Sequence, residues 1–211
     1  MTGFEADLVI KMERDGVEAV INQTVTIADG TAAELEDRVR RWLATHAEVY
    51  RRYRTAVDLW GSSEELVLAE GEAFHANIWA MTCPDMRPGE CFRNAHALAL
   101  SAPSYRYVEG WALMPFSIPT HHAWVVDERG QVQDPTWKPL YRGYRDRDAK
   151  RGSKQPYRGT VSYLGVMPDR EDHARWTAAR GEPNILAVHD SDIDEVLRLG
   201  VREAMRRDVG A

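Results

Sequence analysis

Cys91 in GECFRNAHALAL, His122 in HHAWVVD and Asp134 in VQDPTW follow one another along the chain in the order nucleophile, base, orienting carboxylate. A thiol attacks a carbonyl as its thiolate and needs a neighbour to take the proton. An imidazole in that role needs a carboxylate to fix its tautomer and to stabilise its charged form. The three residues therefore predict acyl transfer through a cysteine thioester, with Cys91, His122 and Asp134 as the catalytic set. The plain alternative is a core cysteine, a surface histidine and a turn aspartate with nothing in common.

Local structure argues for the first reading. Pro88-Gly89 breaks the chain just before Cys91, and Ala95, Leu98 and Ala99 after it form a helical apolar stripe, so the sulfur opens a helix. There the unpaired N–H groups and the positive dipole end favour the thiolate and can donate to an oxyanion. Cys83 precedes Pro84 in a loop and reads as structural. For the base, register chooses between His121 and His122. The segment HAWVVD, then Glu128-Arg129-Gly130, then QVQD predicts a three-residue hairpin loop ending in a left-handed glycine. Closing it at Asp127 and Gln131 sets Trp124 opposite Asp134. His122, two residues from Trp124, then shares a face with Asp134 at diagonal reach, roughly 7 Å between Cβ atoms, and His121 faces the other way.

Around this centre, ADLVIKMER and EAVINQTVTI flank Asp15-Gly16 as a hairpin. Thr31 caps a long helix with Leu35, Val39, Leu43 and Val49 on one face. A second helix is expected from about Ser63 to Trp79, with Gly71 as its weak point. The segment from Cys83 to Gly89 reads as loop, and RYVEGWALM and the stretch from about Thr160 to Val166 as strands. One helix follows Pro168-Asp169, and another runs from Asp190 or Ser191 to about Arg207. Helices on both sides of consecutive strands predict an α+β fold rather than a doubly wound parallel sheet. The chain divides into an N-terminal hairpin and helices (1–86), a catalytic core (87–166) and C-terminal helices (167–211) within one domain.

At 211 residues, 44% apolar and 28% charged, the sequence has the composition of a globular protein. A net charge of −6 argues against nucleic-acid binding by the surface as a whole. No apolar run approaches a membrane span and Met1 leads into polar TGFEAD, so neither a membrane anchor nor a signal peptide is expected. Two cysteines make neither a disulfide framework nor a zinc site, which fits a cytoplasmic chain with reduced thiols. His46, His75, His173 and His189 have no metal-ligand spacing, and no glycine-rich phosphate loop occurs, so neither metal nor cofactor is expected. His96, on the Cys91 helix, falls on another face. Trp111, Trp124 and Trp137 suit core or cleft wall.

GECFRNA, YVEGWA, HAWVVD and DPTW, in this order and at these intervals, resemble the core of the transglutaminase-like superfamily of cysteine enzymes, within the papain-like class of folds. The resemblance runs from about Gly89 to Trp137, with YLGV near Tyr163 as a further strand. It implies an antiparallel sheet packed against a helix that starts at the nucleophile, and the same roles for Cys91, His122 and Asp134. The family's aromatic or amide oxyanion donor upstream of the cysteine has three candidates here, Trp60, Asn77 and Trp79. Family members include crosslinkers, peptidases, amidases, deglycosylating hydrolases and inactive scaffolds, so fold and catalytic set leave the substrate open. The arylamine N-acetyltransferases share the Cys-His-Asp order and a similar GxCFxN stretch, but HAW and DPTW favour the hydrolases.

The segment from Lys138 to Arg158 carries eight basic residues against two acidic, a net +6 that leaves −12 for the rest of the chain. It reads as a basic-aromatic loop beside the site, either solvated or gripping an acidic partner. The expected function is hydrolysis of an amide in a protein, peptide or small-molecule substrate. The alternatives are acyl transfer to an amine, and a catalytically inactive interaction module that uses the basic segment.

Overall fold

The computed structural model describes residues 4–14, 17–27, 30–51, 58–114, 117–150, 159–186 and 191–207. The middle of the chain forms an antiparallel sheet in the spatial order β3-β7-β4-β5-β6. Its strands are β3 (Glu72–Asn77), β4 (Arg106–Leu113), β5 (Thr120–Val126), β6 (Val132–Gln133) and β7 (Thr160–Val166). The three central strands, RYVEGWAL, THHAWVV and TVSYLGV, are rich in β-branched and aromatic residues and are buried almost throughout. The fold is thus mixed α+β.

Helix α1 (Ala32–Arg51) starts on a capping box: Glu34 N–H donates to Thr31 Oγ1 (3.3 Å) and Thr31 N–H to Glu34 Oε2 (2.7 Å). Leu35, Val39, Trp42 and Leu43 form its buried stripe, which packs against β7 and β4. Helix α2 (Ser63–Glu70) is capped by Ser62. Helix α3 (Cys91–Ser101) packs on β5 and β4, and α4 (Trp137–Lys150) leaves the end of β6. After β7 come α5 (Arg170–Arg180), α6 (Ser191–Leu199) and α7 (Val201–Arg207). Separately, β1 (Phe4–Arg14) and β2 (Val17–Ile27) form a two-stranded sheet in which Arg14 lies opposite Val17. The expected Asp15-Gly16 turn lies outside the described residues, as does His189.

Three expectations need correction. The single helix from Ser63 to Trp79 stops at Gly71, whose N–H closes the last turn on the Val67 carbonyl, and EAFHAN continues as β3 because its backbone pairs with β7. Local propensity loses there to a partner strand some ninety residues away. The basic segment begins as α4 rather than as a loop. Asp134 starts that helix by accepting the Thr136 and Trp137 amides on Oδ1, so DPTW is a helix start as well as a strand end. Residues 151–158 lie outside the described residues. The last helix is two, α6 and α7, broken at Gly200 (φ +79°). No described helix is long and apolar enough to cross a membrane.

Candidate active site

The hairpin that carries the histidine closes as its sequence predicts. Asp127 N–H donates to the Gln131 carbonyl (3.0 Å), Gly130 has φ +73°, and Val125 pairs with Gln133. The Asp127 side chain braces the turn by accepting the Arg129 and Gln131 amides, each at 2.9 Å. This register places His122 and Asp134 on one face, where His122 Nε2–H donates to Asp134 Oδ2 at 2.8 Å. His121 turns the other way and pairs with Glu109 (3.0 Å).

Asp134 is fully buried and completely satisfied. Oδ1 accepts the Thr136 (3.0 Å) and Trp137 (2.9 Å) amides, and Oδ2 accepts the Tyr163 hydroxyl (3.0 Å) besides His122. Four donors hold the carboxylate in one orientation. The Trp137 indole stacks on the His122 ring, with centroids 4.2 Å apart, and excludes water from that side. Burial alone would depress the His122 pKa. The Asp134 charge and hydrogen bond, with contributions from the Cys91 side chain, prevail and push it up to about 9. With Nε2 committed to Asp134, Nδ1 is the ring nitrogen left for the Cys91 side chain.

Cys91 is half-buried at the first position of α3. Glu90, at the N-cap, gives no side-chain cap to the first-turn amides; its carboxylate pairs with Arg87 instead (3.0 Å). Ser62 and Asp169 do cap α2 and α5 in the ordinary way. The first-turn N–H groups of α3 are therefore left without a side-chain cap, beside the Cys91 thiol. Cys83 is buried, and burial pushes its thiol up to about 11, so the two thiols differ sharply in their settings.

A staple of side chains joins the loop before α3 to the end of β6 and fixes the thiol against the hairpin. Gln133 Oε1 accepts the Thr82 (2.9 Å) and Cys83 (3.0 Å) amides, and Met86 N–H donates to the Pro135 carbonyl (2.9 Å). Asn94 Nδ2 donates to Thr136 Oγ1 (2.9 Å) and to the Arg87 carbonyl (2.8 Å). Lys138 Nζ donates to the Cys83 carbonyl and, with Arg142, faces Asp85. Two cations of the basic segment are thereby used in holding the site together. A third, Arg145, lies over the Trp79 ring at 4.8 Å.

Asn94, Gln133 and Tyr163 belong to the site although their sequence motifs alone assign them no role. Their signal is position: three residues after the cysteine, one before the aspartate, and on β7, two strands from the β5 histidine. Trp111, Trp124 and Trp137 are all buried, and His96 packs edge-on against His173 (5.3 Å). Among the upstream candidates for an oxyanion donor, Trp60 commits its indole N–H to Glu70 (3.0 Å), and Asn77 accepts the Trp79 amide (3.0 Å). Among the described residues, no group of three His, Cys, Asp or Glu side chains could hold a metal ion. Compared with protein-family models, with curated proteins and with solved structures, the chain matches none.

Proposed function

We propose that the protein is a cysteine-dependent acyl-transfer enzyme of transglutaminase-like kind, with a papain-like arrangement of helix and sheet, that hydrolyses an amide bond. The observation that carries this reading is the His122 ring, held by Asp134 at Nε2 and interacting with the Cys91 side chain at the uncapped start of α3.

In this reading His122 Nδ1 takes the Cys91 proton, giving a thiolate–imidazolium pair beside the Asp134 carboxylate. Sγ attacks the carbonyl carbon, and the oxyanion is met by the first-turn amides of α3. The C–N bond then breaks, the amine leaves with the proton from His122, and an acyl thioester remains on Cys91. Water attacks the thioester, gives a proton to His122, and the C–S bond breaks to release the acid. His122 returns its proton and the cycle closes. Asp134 orients the ring throughout and stabilises the imidazolium.

The test is iodoacetamide alkylation of the two cysteines as a function of pH, in the full chain and in His122→Ala. Fast labelling of Cys91 well below the ordinary thiol pKa of ~8.5, lost in the variant, is the expected result. Slow labelling that tracks ordinary thiol ionisation and ignores the substitution would overturn the reading.

A further inference from the structure

After α5, residues 181–186 have no regular secondary structure, yet four consecutive residues are pinned by buried side chains. His173 Nε2 donates to the Pro183 carbonyl (2.8 Å) and Trp176 Nε1 to the Asn184 carbonyl (3.2 Å). The Ile185 and Leu186 amides donate to the Glu109 carboxylate (2.7 and 2.8 Å). Holding a coil this firmly fixes the wall it forms. That wall faces the first turn of α3 across a cavity of about 320 Å³ lined by Gly89, Glu90, Phe92, Arg93, Glu182 and Asn184. Four of the six lining residues are those immediately before and after Cys91. The volume sits at the lower end of the range of small-ligand sites, roughly 300–1,000 Å³.

The charges in this cavity are balanced within the protein. Arg93 pairs with Glu182 (2.7 Å), bridging helix and wall, and Glu90 pairs with Arg87 (3.0 Å). A ligand that brought a further charge would have to compete with those pairs. Asn184 lines the cavity, and among the described residues nothing pairs with its carboxamide, a group with two donors and an acceptor. That set matches the N–H and C=O of a peptide unit. Phe92, on the first turn of α3 across from that wall, supplies an apolar surface and packs on His121 (5.0 Å).

We infer that this cavity binds the substrate chain next to the scissile bond as an uncharged peptide, with Asn184 pairing to its backbone amide. The inference rests on the Cys91 reading above for what happens to the bound peptide, but not for the binding itself. It makes Asn184 a substrate-binding residue, and Glu109, His173 and Trp176 positioning residues that set the wall.

The experiment titrates acetyl-Ala-Ala-amide into the isotope-labelled full chain and follows the side-chain amide resonances of Asn184. In parallel, the same peptide is used to protect Cys91 from iodoacetamide. A saturable shift of the Asn184 resonances and protection of Cys91 are expected. Acetyl-Ala-Asp-amide and acetyl-Ala-Lys-amide should be weaker in both readouts. Asn184→Ala should bind the neutral peptide about tenfold more weakly, the loss of one net hydrogen-bonding contact. Unmoved Asn184 resonances, undiminished protection in Asn184→Ala, or a preference for either charged peptide would overturn it. If Cys91 proves unreactive while the Asn184 resonances still shift, the binding site stands and the reaction falls. Fast alkylation with unmoved resonances means the opposite: the reaction stands and the binding site falls.

Discussion

His121 and His122 are neighbours on β5, and the two form nearly the same polar unit on opposite faces of the sheet. His122 meets Asp134, which also accepts the Tyr163 hydroxyl and two backbone amides. His121 meets Glu109, which also accepts the Tyr107 hydroxyl (2.8 Å) and two backbone amides. Both carboxylates are fully buried. The difference lies at the rest of the ring. The His122 side chain is 2% exposed, stacks on Trp137 and interacts with the thiol. The His121 side chain is 21% exposed and lies between Trp111 (5.1 Å) and Phe92 (5.0 Å). A histidine–carboxylate pair is therefore no signature of catalysis by itself. What separates the two is which group the second nitrogen can reach, and what the carboxylate holds in place: the start of α4, whose Trp137 stacks on His122, in one case, the wall of a cavity in the other.

The sharpest way to break this contrast is to remove each ring. His122→Ala should slow Cys91 alkylation at mildly acidic pH by about 10³-fold, within the range for loss of a positioned base, whereas His121→Ala should leave most of that reactivity. Equal effects in the two variants would make the faces equivalent.

Removing each carboxylate charge should separate chemistry from folding. Glu109→Gln sets an amide N–H₂ among four donors, and should lower unfolding free energy in urea by about 2–3 kcal/mol. Asp134→Asn should be read by pH. The raised His122 pKa keeps the ring protonated until about 9, so turnover that needs the imidazolium to protonate a leaving amine should fall as pH rises through that value. In Asp134→Asn the same limb should move down toward ~6.5. An unmoved limb in the variant would assign it to another group.

Stability should carry the same sign on the alkaline side. The contribution of the His122 pair is complete below the ordinary histidine pKa of ~6.5 and is lost as pH rises through about 9. The acid side belongs to His46 and His173, which burial holds down to about 4. Their contribution is present above ~6.5 and lost as pH falls through about 4. Urea midpoints against pH, in wild type and in His173→Gln, would locate both edges.

The smallest effects should come from the hydroxyls. Tyr107→Phe and Tyr163→Phe each delete one buried donor to a charged acceptor, at about 1.5–3 kcal/mol of stability. Only Tyr163→Phe should also change the alkylation rate of Cys91. A change in both would mean that the two faces are coupled through β4 and β5.

The two units were not equally legible in the sequence. The His122–Asp134 pair could be derived because what brings it together is local: a loop ended by Gly130 and a two-residue side-chain period, with only the Tyr163 hydroxyl, 29 residues on, out of local reach. The opposition of His121 to Glu109 was within reach of the same reasoning, since β4 and β5 are adjacent strands. Its backbone donors were not, because Ile185 and Leu186 lie 76 and 77 residues away from Glu109 in the chain. The misread helix from Ser63 to Trp79 failed for the same reason, with β3 existing only because β7 does. The basic segment misled differently. Charge alone suggested a loop, while the aspartate that orients His122 also started a helix there, and two of its cations were absorbed by Asp85 and the Cys83 carbonyl.

The sealed position of Cys83, 2% exposed with its amide held by Gln133 and its carbonyl by Lys138, gives the molecule a built-in gauge of its own integrity. A thiol reagent should count one sulfur on the native chain and two once the strap between the two loops lets go. Counting modified sites by mass on intact protein would then report, molecule by molecule, whether a lost activity reflects a damaged site or an opened fold.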